Sequence, residues 1–203
     1  TATLTATANT GYRFDGWYLG DDKVSENGSY SYTTPQITSA TTYVAKFVKT
    51  WNVTVSASEG GNVEVYAGAT AVENEQPLTG DDGVYTVDNG TALRIVAAAN
   101  TNYHFDGWTV NNSTSMTDAT TGNGTTVKTY ILTNITGDSN IVAHFAINSY
   151  EITASANPTA GGTVTGAGTY NHGETATLTA TANTGYRFDG WYKEENLVSS
   201  DAS

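Results

Sequence analysis

The sequence predicts a mainly β protein, a tandem array of small antiparallel-sheet modules of about 75–97 residues per repeat. Three observations carry that expectation. An eighteen-residue block, TATLTATANTGYRFDGWY, stands at residues 1–18 and again, letter for letter, at 175–192, with a diverged copy (ALRIVAAANTNYHFDGW) at 92–108. The block opens with strict alternation, Ala2, Leu4, Ala6 and Ala8 on one face against Thr1, Thr3, Thr5 and Thr7 on the other, which is the period of a half-buried strand. Composition agrees: 37 Thr among 203 residues, with 11% aromatics, suits strands. No amphipathic helical stretch of useful length is present.

Taken in order, each element has its own justification. The middle copy keeps the inward set of the Ala/Thr strand as Leu93, Ile95, Ala97 and Ala99. In the motif that follows, Tyr12 and Phe14 alternate, but Trp17 is out of phase with them. A bulge at Asp15-Gly16 restores the phase and brings Trp17 onto their face. The recurring set is Tyr12, Phe14, Gly16 and Trp17; Tyr103, Phe105, Gly107 and Trp108; and Tyr186, Phe188, Gly190 and Trp191. With so few large aliphatics, these aromatics are expected to form each module's core, small Ala residues opposite leaving the room. A variable polar stretch follows, read as a long hairpin with arms at Tyr30-Ser-Tyr32 in one copy and Thr126–Tyr130 in another. A closing strand ends the unit, Tyr43-Val-Ala-Lys-Phe47 matching Ile141-Val-Ala-His-Phe145. An opening hairpin begins the next, Trp51–Val55 matching Tyr150–Ala154, each followed by a Gly-Gly pair (Gly60-Gly61, Gly161-Gly162). The organisation expected is therefore 1–50, the C-terminal part of a repeat; 51–147, a complete repeat with insertions; and 148–203, the N-terminal part of a further repeat. Val53 follows Phe47 by only six positions, too few for a flexible linker, so one module runs almost directly into the next.

Charge and composition exclude whole classes of function. Twenty Asp and Glu against eight Lys and Arg give a net charge of −12, which disfavours nucleic acid and anionic membrane as partners. No apolar run is long enough for a membrane-spanning helix, so no membrane insertion is expected in this segment. Zero Cys removes disulfides and Cys-ligated zinc. An enzyme needs convergent, unrepeated chemistry, and none is visible, so no catalytic residue, metal site or cofactor is assigned. His104 stands where the other copies have Arg13 and Arg187, and His144 where the first has Lys46, as exchangeable outward basic positions. His172 precedes a turn glycine. Asp15, Asp106 and Asp189 recur as a bulge requires. The acidic pairs Asp21-Asp22, Asp81-Asp82 and Glu194-Glu195 read as solvated hairpin tips rather than calcium ligands, which would need several oxygens at once. The seven glycosylation sequons at Asn27, Asn52, Asn89, Asn111, Asn112, Asn123 and Asn134 barely exceed chance for this composition. Internal Lys–Asn crosslinks are disfavoured because Lys46 becomes His144.

The Gly-Gly turn, Ala-Thr-Leu-Thr-Ala, Gly-Tyr-Arg-Phe-Asp-Gly-Trp and closing Tyr-Val-Ala-Lys-Phe, recurring together, resemble the divergent internalin-type B-repeat family (Listeria–Bacteroides repeats) over nearly the whole chain. The resemblance implies strand-rich, β-grasp-like modules of extracellular bacterial cell-surface proteins, used as stalk, spacer or filament building block. The middle unit departs from the family by insertions around 66–90 and 110–128. The alternative is an adhesin module binding glycan or a host surface protein through the variable hairpins, with Tyr30, Tyr32, Tyr85 and Tyr130 as the aromatics outside the repeated core. An accessory domain of a secreted hydrolase is a third reading. The expected partners are neighbouring repeats of the same or a like chain, head-to-tail. Residues outside 1–203 are expected to supply the missing strands. A fibre of separate chains ranks second, since the duplicated strand would compete with itself for one slot. Lys46 is expected opposite Asp15, with His144 opposite Asp106 in the middle unit.

Overall fold

The computed structural model describes residues 1–25, 28–111, 113–116 and 127–202. The strands are β1 (Thr3–Thr5), β2 (Tyr12–Leu19), β3 (Asp22–Lys23), β4 (Ser31–Thr33), β5 (Val44–Ala57), β6 (Gly61–Ala67), β7 (Val84–Asp88), β8 (Leu93–Ala99) and β9 (Tyr103–Val110). They continue as β10 (Ser113–Met116), β11 (Val127–Leu132), β12 (Ser139–Ile147), β13 (Ser149–Ile152), β14 (Gly162–Thr165), β15 (Gly168–Asn171), β16 (Thr179–Ala182), β17 (Trp191–Lys193) and β18 (Asn196–Ser199). Among the described residues the helical content is one 3-10 turn, Thr159–Gly161. The protein is a tandem β array of small sheets, as its Thr-rich alternation requires.

The middle segment is two facing sheets. One has the order β10-β9-β12-β5, with β7 on the far side of β5; the other is β11-β8-β6. Most ladders are antiparallel, but β12 runs parallel to β5, Ser139 opposite Val53 through Ala143 opposite Ala57. The Gly-Gly turn is a corner: β5 and β6 belong to different sheets. Two features make that corner need glycine. Gly60 has φ +94°, and a Cβ there would fall on the Tyr103 ring; a Cβ on Gly61 would fall on the Phe145 ring. The alternating residues interleave between the layers. Val53, Val55, Phe105, Trp108, Ile141 and Ala143 come from one sheet and Val65, Leu93, Ile95 and Ala97 from the other, with Ile135 closing the end. Burying a side chain of that size stabilises by about 1.5–3 kcal/mol, so this layer dominates the segment's stability.

The variable stretch is not a hairpin. Its two arms go to different sheets: β10 pairs with β9 and β11 with β8, while in the first segment β3 pairs with β2 and β4 with β1. Burial drives the crossing. Tyr32 packs on Tyr43, ring centroids 5.5 Å apart, and Tyr130 on Trp108 at 5.6 Å, so the second arm lays its Tyr over the core. Residue 126 of that arm and the sequons Asn27, Asn112 and Asn123 lie outside the described residues. The insertion after β6 folds back, the Leu78 amide donating to the Val65 carbonyl (2.7 Å), and Glu75 forms an ion pair with Arg94, whose guanidinium lies 4.3 Å over the Tyr66 ring.

Candidate functional site: the junctions and the open edges

The motif bulge is built as its glycine suggests. In β2 the register against β5 jumps between Phe14 and Gly16, and in β9 Gly107 and Phe105 face successive residues of β12. Gly16, Gly107 and Gly190 have φ of 158°, 153° and 156°, a region open almost only to glycine. Trp17 then faces Ala45 and Trp108 faces Ala143, each large ring against a small partner. Phe105 and Trp108 are 4% and 2% exposed, and Phe14 and Trp17 are also buried. Tyr12 and Tyr186 differ from the core role expected of them: they are 46% and 49% exposed. Tyr103 is half-buried with Gly60 on its ring, whereas Tyr186 stays exposed although Gly161 lies beside it, so the Gly-Gly corner does not by itself cover this tyrosine. Phe188 and Trp191 are only half-buried.

The expected Lys46–Asp15 pair does not form. The bulge puts Gly16, not Asp15, opposite Lys46, and the Lys46 ammonium sits 3.9 Å over the Tyr18 ring. Asp15 instead accepts from the Tyr18 hydroxyl (2.6 Å) and pairs with Arg13 (3.3 Å) and Lys23 (3.9 Å). The Tyr18 hydrogen bond, joined by the two cations, holds the Asp15 carboxyl below its ordinary range. In the middle segment Thr109 replaces Tyr18 and His144 replaces Lys46, and Thr109 Oγ1 and His144 Nε2 lie 2.6 Å apart. A cation over a ring becomes a hydroxyl–imidazole hydrogen bond.

The first junction is one strand. β5 runs fourteen residues without a break: its first part pairs with β2, from Val44 opposite Tyr18 to Lys49 opposite Tyr12, and its second with β7 and β12. The Thr50 amide donates to the Gly11 carbonyl and the Asn89 amide to the Lys49 carbonyl, both at 2.8 Å. Arg13 clamps the two sides, Nε donating to Asp88 Oδ1 (2.6 Å) and Nη2 to Oδ2. That hydrogen bond pulls the Asp88 carboxyl below its ordinary range against the opposing desolvation, and pushes the guanidinium up. Lys49 lies 4.1 Å over the Trp51 ring, whose Nε1 donates to Asn89 Oδ1 (2.9 Å).

The second junction repeats the plan with one extra residue. β12 ends at Ile147 and β13 starts at Ser149; the Asn148 amide donates to the Asn102 carbonyl (2.8 Å) and the His172 amide to the Asn148 carbonyl (2.7 Å). His104 stands in for Arg13 and Asn171 for Asp88. The contact there involves no carboxylate, His104 Nδ1 lying 3.0 Å from Asn148 Oδ1.

The third segment has the parts of the middle one without its filling. Three two-stranded ribbons, β13-β15, β14-β16 and β17-β18, surround an open groove of about 1360 Å³. Nothing among its described residues is buried. The middle segment's groove between β9 and β5 holds β12; here no strand lies between residues 186–193 and β13, and residues 186–190 form no ladder. Among the described residues there is no group of three or more His, Asp or Glu placed to hold a metal ion, and no helix is long and apolar enough to cross a membrane.

The model of the divergent InlB B-repeat domain matches the chain three times, over residues 1–50, 51–149 and 152–203. No curated protein and no solved structure matches the chain.

Proposed function

From the premise that the chain belongs to the divergent InlB B-repeat domain family, we propose that it is a structural segment of an extracellular bacterial surface protein, working as a stalk, spacer or filament building block. The observation that carries this reading is the unbroken β5. Fourteen residues at about 3.3 Å each give one strand of about 46 Å shared by two modules, so their relative placement follows from one continuous strand that carries the ladders of both. A strand leaving one module as its closing strand and entering the next as its opening strand transmits load along its own axis. No flexible linker intervenes. The Arg13–Asp88 pair ties β2 of one module to β7 of the next.

The adhesin reading has less support. Of the aromatics that a carbohydrate platform would use, Tyr30 stacks on Phe14 (5.4 Å), Tyr32 packs on Tyr43, and Tyr85 and Tyr130 pack against the middle core. Electron microscopy of the native protein tests the proposal. Extended projections that lengthen by about 30 Å per module, the scale set by a radius of gyration near 12 Å for about 90 residues, are expected. Compact particles of unchanging diameter would overturn it.

A further inference from the structure

We propose that the middle module is built to bear tension, and that the parallel β5–β12 ladder is the part that holds, resisting in shear a load that passes along the chain. The inference takes the source of the load from the stalk reading and goes beyond it by naming where the load is carried.

The starting point is an exception. Every other strand ladder among the described residues is antiparallel, whereas β12 runs parallel to β5, Ser139 opposite Val53 through Ala143 opposite Ala57. Parallel pairing is slightly the less stable of the two per residue, so stability does not explain the choice. The direction of load does. The chain comes into the middle module from residues 1–50 at the N-terminal side of β5's second part, and leaves for residues 148–203 at the C-terminal end of β12. Tension therefore draws β5 toward Val44 and β12 toward Ile147. Because the two strands are adjacent and parallel, these pulls act along the ladder in opposite directions and strain its hydrogen bonds together. Had β12 been antiparallel to β5, entry and exit would lie at one end, and the same tension would open the ladder one pair at a time.

The ladder is closed at both ends and dry on one face. At its start the Asn52 amide donates to Asp138 Oδ1 (2.8 Å). At its end the Ser58 amide donates to the Ala143 carbonyl (2.8 Å) and the Phe145 amide to Ser58 Oγ (2.9 Å). Val53, Ile141 and Ala143 are 0% exposed and Val55 4%, which keeps water from the bonds on the core side. A slip of one residue would turn these side chains out of the core, and a slip of two would drag them past Val65, Ile95 and Ala97 of the facing sheet. The strands have no small step by which to yield.

The chain has no Cys, so a cysteine pair sets the direction of pull. In the full 203-residue chain, Thr42→Cys with Ser149→Cys, both at exposed positions, takes handles that reproduce the native direction. Thr42→Cys with Thr136→Cys, again exposed, pulls β5 and β12 from their adjacent N-terminal ends. The fold and its equilibrium stability are common to the two proteins, and only the direction of force differs. Single-molecule force spectroscopy at one loading rate should give an opening force several-fold higher for the first pair, with a released length that matches the chain between its handles. Equal forces, or a higher force for the second pair, overturn the proposal. That result leaves the stalk reading standing, since particle length decides the latter.

Discussion

At the scale of single residues, the repeated aromatic motif works through the sizes of facing side chains. Trp108 lies against Ala143, 5.2 Å from Phe105 and 5.6 Å from Tyr130, with 2% of its surface exposed. Trp108→Ala is expected to destabilise the middle segment by about 3–5 kcal/mol, because the surrounding sheets cannot close the space. Trp191→Ala should cost less than half of that, its ring being half-buried beside an open groove. Denaturant melts of both variants check the pair, and equal losses would contradict the packing described. The bulge and its glycine were legible in the sequence because three copies show the same spacing. The exposure of Tyr12 was not, since it depends on which other elements lie over it. Nor was the partner of Lys46: the bulged residue leaves the ladder, so counting along two strands cannot place Asp15 opposite anything.

At the scale of elements, the junctions differ in chemistry more than in plan. Asp88 is paired with Arg13 across the first, and its lowered carboxyl titration makes that contribution pH-dependent. The sign follows from the direction: the clamp's stability is fully present above the ordinary carboxylate pKa of about 3.9 and is lost as pH falls through the lowered folded value. Asp88→Asn is expected to destabilise by only about 0.2–1 kcal/mol at neutral pH, the pair being partly exposed, and to flatten the acid limb of the stability profile. Thermal melts from pH 2 to 7 measure both, and an unchanged acid limb would show that the clamp contributes nothing. The second junction, with His104 and Asn171 in those places, is the natural internal comparison. Strand identities could be read from alternation and repeat spacing, but sheet membership could not. Alternation gives the face that each strand buries without saying whether successive strands bury it side by side or face to face, and here the Gly-Gly turn and the variable stretch both cross between sheets.

At the scale of the whole molecule, β5 is one strand shared by two modules, unbroken where it passes from its ladder with β2 to its ladder with β7. Amide hydrogen exchange resolves that joint directly. The Thr50 amide, donated to Gly11, and the Asn89 amide, donated to Lys49, are formed only if the ladder runs through. They should exchange with the same protection as the Val55 amide, which is bonded to the Gly83 carbonyl inside the middle module. Exchange at Thr50 and Asn89 as fast as in the exposed stretch 36–42, with Val55 still protected, would mean that the modules meet at a hinge, and would contradict the continuous strand on which the proposed function rests.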